Sequence, residues 1–511
     1  MIPRREVLGF GVVALLGVGV GVGAARWPEW VRPFEDDRTS VSGPPPQQPT
    51  VSPSPTPQRE PSLTVDRWRR QRKAPYLIAH RGAGVVVPEH TFPAYHRAVK
   101  WGADCLEISV VKSRDGELYC LHDLTLNRTT NLRGTAASKS AAQLDAARVD
   151  IPRLGPGWSG SNRPRLPRLT DVLNTIGGSV VLCIEAKDGD AYPLIREAVG
   201  ASDVVPSVMM KMDAESPWLR QAKADGYPVF AYLGSPAAAT AGAIDALAAR
   251  LERSRDVMVL PADADGKYFS SKLIRRAVDT GIPVWVFPVV RRSEMEHFVA
   301  LGVEGIVTPD LGYLSRRAPL ARKDSWSGGR ISTGDLTLDP YSEKYGLRWD
   351  EKGAVTLAVT GRPAFLTPGG FCPIEEQSYR IEFDARWDSL PSGTPHAVSI
   401  AFGHRDDRYY EHQSGQGDGY HGLLSRDGSM SLHAHLDGRS DGDLLAASSP
   451  SSTPDGRWVR LTIEVSPETL RWGRVGGPLV EVRDQRFRGG YFHIGRPATS
   501  GNLSIRDLRV R

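Results

Sequence analysis

Between Pro75 and Arg316, short apolar runs rich in strand formers alternate with helical stretches, a pattern few folds satisfy. Strands are predicted at 76–80, 104–111, 117–122, 179–186, 205–211, 228–233, 256–260, 283–289 and 304–308, and helices at 91–101, 215–225, 240–253 and 270–280. Such alternation specifies a parallel sheet covered by helices. Nine strands are one more than an eight-stranded barrel takes. The second and third are joined only by Lys112 to Gly116, too short for a parallel crossover. They are therefore read as an antiparallel hairpin turning near Arg114-Asp115, in a register that sets Glu107 opposite His122 with Ser109 on the same face. The remaining eight strands make an α/β fold, a (β/α)8 TIM barrel over 75–320 with an inserted β-hairpin. Functional side chains are expected at the C-terminal ends of its strands.

A chain of 511 residues exceeds one ordinary core. Residues 331–511 lose helical periodicity and gain alternating strands. In Tyr379–Trp387, for example, Ile381, Phe383, Ala385 and Trp387 share a face. The expectation is an all-β jelly-roll sandwich, similar in strand rhythm to concanavalin-A-like lectin and laminin-G sandwiches. Seven histidines fall here. His433 and His435 on one strand, with Tyr409-Tyr410 and Tyr420-His421 beside a glycine-rich loop, mark a candidate surface for a carbohydrate ligand.

At the other end, Arg4-Arg5 with Leu8 and Phe10 before an apolar run from Val7 to Ala25 resembles a twin-arginine export signal. Residues 1–26 are read as that signal or as a membrane anchor, and 27–74 as a Pro/Ser-rich linker. The basic run Arg67–Lys73 is read as its solvated end. The expected location is secreted, or tethered at the cell surface. A net charge of +5 is too mild and too dispersed for a nucleic-acid binder. Cys105, Cys120 and Cys183 each precede an acidic residue or histidine by two, and are read as buried thiols.

The chemistry is concentrated in two segments. One is Leu77-Ile-Ala-His80-Arg81-Gly82 with Pro88-Glu89-His90-Thr91. The other runs from Cys105-Leu-Glu107-Ile-Ser109 through Asp115-Gly116 to His122-Asp123 and Arg128-Thr129-Thr130. Together they supply two imidazoles, carboxylates and cations, which is what breaking a P–O bond requires. His90, His96 and His297 lack this context and are expected on helix surfaces.

These motifs resemble the signature of the glycerophosphodiester phosphodiesterase family: His-Arg-Gly, Pro-Glu-Asn-Thr, Glu-x-Asp, Asp-Gly and His-Asp in that order. The likeness continues in Cys183-Ile-Glu185-Ala-Lys187, in Arg165-Leu-Pro-Arg-Leu169 with Thr170-Asp-Val-Leu173, and in Val284-Trp285 and Gly305-Ile-Val-Thr308. The resemblance implies an acid–base pair, His80 and His122, with Glu107 and Glu185 as ligands of a divalent cation, Mg²⁺ or Ca²⁺. It places Arg81 and Lys187 on the substrate phosphate, Glu89 and Asp123 in support, and Trp285 against the substrate's alcohol. The substrate would be a glycerophosphodiester or a phosphate-containing wall polymer.

Three positions depart from the pattern. Ser109 stands where the family has Asp, so a ligand charge is lost. Three readings follow: weaker metal binding, rescue by another carboxylate, or a site run mainly by the protein's own cations. Lys211 ends the next strand where the family has Ser-Phe, and either contacts phosphate or forms a salt bridge. His90 also replaces the motif's asparagine. Rival readings are a sphingomyelinase D-like phospholipase on the same architecture, and a surface-binding protein whose catalysis is impaired at Ser109.

Overall fold

The computed structural model describes residues 63–511 apart from 265–266, 339–345, 352, 362, 389–395, 409–417, 437–441, 453–454 and 498. The export signal, the linker up to residue 62 and Tyr409-Tyr410 lie outside the described residues. No helix among the described residues is long and apolar enough to cross a membrane.

Among them the first half closes as a barrel. Its parallel strands are β1 (Tyr76–Ala79), β2 (Cys105–Lys112), β4 (Val181–Ala186), β5 (Val208–Asp213), β6 (Val229–Tyr232), β7 (Val257–Pro261), β8 (Val284–Phe287) and β9 (Gly305–Thr308). They follow one another around the ring, and β1 pairs with both β9 and β2 to shut it. The extra strand, β3 (Leu118–Cys120), is antiparallel on β2 as the short connection requires. Its register differs from expectation by one residue. Val110 faces Cys120, so an extended ladder would set His122 against Ile108, not Glu107. The ladder stops at Cys120, and His122 follows in a loop.

Inside the ring, Ile78, Cys105, Val181, Cys183, Met209, Phe230, Val259 and Trp285 form a packed layer. Cys120 belongs instead to the helix-side core, so it does not share the placement of the other two thiols. All four cysteines are buried and unpaired. The expected linker ends earlier than residue 74. Val65–Gln71 is a helix, capped by the Thr64 hydroxyl accepting from Arg67 N at 3.0 Å. Arg67 and Arg70 face water and Arg69 donates to Ser254 O at 2.9 Å, while Val65 and Trp68 plug the barrel floor, with Trp68 4.7 Å from the Tyr76 ring.

The second half holds two seven-stranded antiparallel sheets among the described residues, which fit a β-sandwich. Alternation along Tyr379–Trp387 buries the four residues expected. Of the expected surface, Tyr409-Tyr410 and the loop after them lie outside the described residues, and His433 is half-buried. His421 and His435 are buried and stack on each other at 4.7 Å, and the buried Tyr420 hydroxyl donates to Asp484 at 2.6 Å. These rings are spent on packing within the sheet.

Candidate active site

Parallel register builds the floor of the site. Ser109 pairs with Glu185, and Glu185 with Lys211, so the three sit on one rung of adjacent strands β2, β4 and β5. Glu107 lies two residues before Ser109, on the same face one layer deeper. Lys211 Nζ lies 2.5 Å from Glu107 Oε1 and 2.7 Å from Glu185 Oε2. The other oxygens are also engaged. Glu107 Oε2 accepts from Arg81 N at 2.8 Å, and Glu185 Oε1 from Tyr232 OH at 2.7 Å and Lys187 Nζ at 3.1 Å. Ser109 Oγ donates to Glu185 Oε2 at 3.2 Å. Burial pushes both carboxyls up, but the surrounding positive groups, Lys211 foremost, together outweigh it. Glu107 ends well below the usual range and Glu185 at about 2. Burial alone would depress the Lys211 ammonium; the two carboxylates raise it instead.

The histidines stand above this floor. His80 is buried at the end of β1, its backbone N bonded to Thr308 O at 2.8 Å and its Nε2 3.9 Å from Glu107 Oε2. Burial lowers its pKa to about 3, against the pull of Glu107. His122 Nδ1 lies 2.8 Å from Asp123 Oδ1. Burial lowers its pKa too, and the Asp123 bond partly restores it. Asp123 is ionised, held below the ordinary carboxylate range by His122 and Arg128 despite burial. An ionised carboxylate only accepts, so Nδ1 carries the proton and Nε2 is the nitrogen left for chemistry.

Glu89 is bonded from both loops, beyond the His80–Arg81 loop that the sequence reading assigned to it. Arg81 reaches it at 3.1 Å, and Arg128 grips it through two nitrogens at 2.7 and 3.0 Å while also bonding Asp123 at 2.7 Å. Arg128 thus ties the His80 loop to the His122 loop, a role invisible in the sequence although it closes the second motif segment. Left-handed backbone at Arg81 (φ 56°), Gly82 (φ 82°) and His90 (φ 52°) shapes the turn. A Cβ on Gly82 would lie 2.8 Å from that of Ala94, so the motif's glycine is a close-approach requirement. Asparagine and histidine both tolerate this conformation, which accounts for His90 replacing asparagine. His90 is not the surface residue expected: it is buried, with Nδ1 3.0 Å from the Tyr95 hydroxyl.

His80, Arg81, His122, Glu185, Lys187 and Lys211 line one cavity of about 570 Å³, walled by Phe230, Tyr232, Phe287 and Pro288. Trp285 is not there. It is buried in the barrel interior against Trp68 and Phe230, where a Cβ on Gly305 would collide with its ring at 2.3 Å. It starts too near the N-terminal end of β8 to reach the mouth. Phe287, two residues later on the same face, and Tyr232 take the wall; an aromatic at a strand's C-terminal end was the available signal.

The donor set does not fit a divalent cation held as the resemblance implies. Every oxygen of Glu107 and Glu185 already accepts from a protein donor, and a cation bridging the two would need the place of Lys211 Nζ. Among the described residues no group of three or more His, Cys, Asp or Glu is arranged to hold a metal ion.

Two imidazoles and several cations converging on one cavity at the C-terminal mouth of a closed (β/α)8 barrel define a phosphodiester-hydrolase site. Residues 80–312 match the model of the glycerophosphoryl diester phosphodiesterase family, and the barrel is a domain of that family. The chain is 28% identical over 253 residues to a glycerophosphodiester phosphodiesterase of Bacillus subtilis, covering 46% of this chain and 84% of that protein. With one from Caldanaerobacter subterraneus it shares 28% over 244 residues, covering 46% and 93%. A phosphodiesterase of Oleispira antarctica, solved in complex with the product sn-glycerol-3-phosphate, aligns at a TM-score of 0.41 and 18% identity, over 48% of this chain and 96% of that one.

Proposed function

We propose that this protein hydrolyses glycerophosphodiesters outside the cytoplasm, releasing an alcohol and a phosphomonoester, or a cyclic phosphate where a neighbouring substrate hydroxyl attacks first. The observation that carries the reading is His80 and His122 lining one cavity with Arg81 and Lys187. Lys187 and Arg81 hold the phosphodiester anion. His80, kept neutral by burial, accepts the proton of the attacking hydroxyl or water. His122, whose imidazolium the Asp123 carboxylate stabilises, protonates the leaving alkoxide through Nε2. Phe230, Tyr232 and Phe287 give the alcohol portion an apolar wall. Export rests on the Arg4-Arg5 segment and the apolar run after it, and a wall polymer is the larger substrate this location offers. Mg²⁺ or Ca²⁺ assistance rests on the resemblance alone.

The test is full-length protein with glycerophosphocholine and glycerophosphoglycerol, with products followed by phosphorus NMR. Turnover is expected, reduced on the order of 100- to 10,000-fold in His80→Ala and in His122→Ala. Absence of turnover on any glycerophosphodiester, or full activity in either variant, would refute the reading.

A further inference from the structure

Two of the three departures from the family pattern, Ser109 and Lys211, flank Glu185 on the same rung. They are 102 residues apart in sequence, yet Ser109 Oγ and Lys211 Nζ meet the same carboxylate oxygen, Glu185 Oε2, at 3.2 and 2.7 Å. Accepting the phosphodiesterase reading above, we infer that Lys211 is the resident cation of this centre, and that the enzyme works without a divalent metal ion.

Position supports this. A calcium ion binds carboxylate oxygens at about 2.3–2.6 Å and magnesium at about 2.0–2.1 Å. Lys211 Nζ, at 2.5 and 2.7 Å from Glu107 and Glu185, occupies the space between the two oxygens that an ion held by both carboxylates would need. Ammonium and metal exclude each other there, by volume and by charge.

Charge supports it too. Glu107, Glu185 and Lys211 together leave a net charge of minus one. Three carboxylates around a divalent ion would leave the same. Loss of the acid at 109 and gain of the ammonium at 211 therefore compensate. An aspartate at 109 beside Lys211 would crowd three carboxylates around one ammonium.

Lys211 is also placed to act on substrate. It is a barrel-interior side chain that lines the cavity, and two of its three N–H bonds are taken by Glu107 and Glu185. The third is available to a phosphoryl oxygen. Tyr232, whose ring centroid lies 5.1 Å from Nζ, anchors Glu185 and keeps the ammonium in place. What the lysine supplies is fixed positive charge beside the phosphoryl group, a preorganised electrostatic contribution.

The decisive experiment titrates the full-length protein with Mg²⁺, Ca²⁺ and Mn²⁺ by calorimetry and assays it on glycerophosphocholine and bis(p-nitrophenyl) phosphate with and without chelator. The wild type is expected to show no saturable heat up to about millimolar cation, the weak end of carboxylate sites, and activity unchanged by chelator. Lys211→Ala should lose most of its activity, Lys211→Arg should keep a chelator-resistant part, and Ser109→Asp with Lys211→Ala should acquire divalent-cation binding. Saturable metal binding by the wild type, chelator loss restored by metal, or chelator-resistant full activity in Lys211→Ala would each overturn the inference. Calorimetry judges it even if the substrates are wrong, so its failure is distinguishable from failure of the phosphodiesterase reading. Unfolding curves show which variants fold; if Lys211→Ala does not, Lys211→Arg and the wild-type titration still decide.

Discussion

At the residue scale, the two histidines differ only through their neighbours. Asp123 holds His122 Nδ1 at 2.8 Å and partly restores an imidazole that burial depresses, whereas His80 has Arg81 and Lys211 opposing the help of Glu107. His122 is assigned the acid, so activity falls as pH rises through its pKa. Removing the Asp123 carboxylate lowers that pKa. In Asp123→Asn the alkaline limb of kcat/KM should move to lower pH, with a rate loss of about 100-fold or more. If the acidic limb moves instead, His122 is the base and the roles are exchanged. His80, His122, Glu107 and Glu185 were legible in the sequence because each lies in a contiguous motif. Lys211 was legible as an anomaly, but its choice between phosphate and salt bridge was not, since both partners come from other strands. His90 misled because burial of a polar ring behind Tyr95 leaves no local trace.

At the scale of elements, apolar rhythm placed every barrel strand, and connection length alone identified the hairpin. What it missed was register, where a shift of one residue exchanges the faces of a strand. The helix Val65–Gln71 was missed because its basic residues dominate the composition, while its function rests on Val65 and Trp68. The short strand Asp335–Leu336, which edges one sandwich sheet, carries a pH dependence of its own. Burial raises Asp335 to about 7 from an ordinary 3.8, although Trp326 Nε1 and Ser332 N donate to it at 2.9 and 2.8 Å. A carboxyl raised on folding contributes stability below its unfolded pKa, and that contribution is lost as pH rises through the folded value. From pH 5 to pH 8 this group should cost the wild type about 2–3 kcal/mol. Asp335→Asn, which keeps an acceptor for both donors, should remove that loss. Denaturant titrations at the two pH values check it, and equal slopes in both proteins would contradict it.

At the scale of the molecule, barrel and sandwich are joined by a buried polar knot. Asp407 of the sandwich accepts from Arg292 N at 2.7 Å and Ser293 N at 3.0 Å, the start of barrel helix Arg292–Ala300, and from the Tyr313 hydroxyl at 2.6 Å. Arg292 in turn donates to Cys372 O at 2.8 Å, and Arg291 to Thr337 O at 3.1 Å. Removing one partner strands the others without water. Asp407→Ala should therefore cost about 3–5 kcal/mol and split one thermal transition into two, with barrel and sandwich melting apart. A single unshifted transition in calorimetry would show the knot to be dispensable. Nothing in the local sequence marks Asp407, because its partners lie on elements far away in the chain. The sequence alone determined the barrel, the hairpin, the two-sheet C-terminal half and the histidine pair, because strand period, loop length and contiguous motifs are local quantities. Only the tertiary structure decided that Lys211 stands between Glu107 and Glu185, that Trp285 is floor and not wall, and that Arg128 binds two loops together. Those are distances between side chains on different strands, and closing the ring is what sets them.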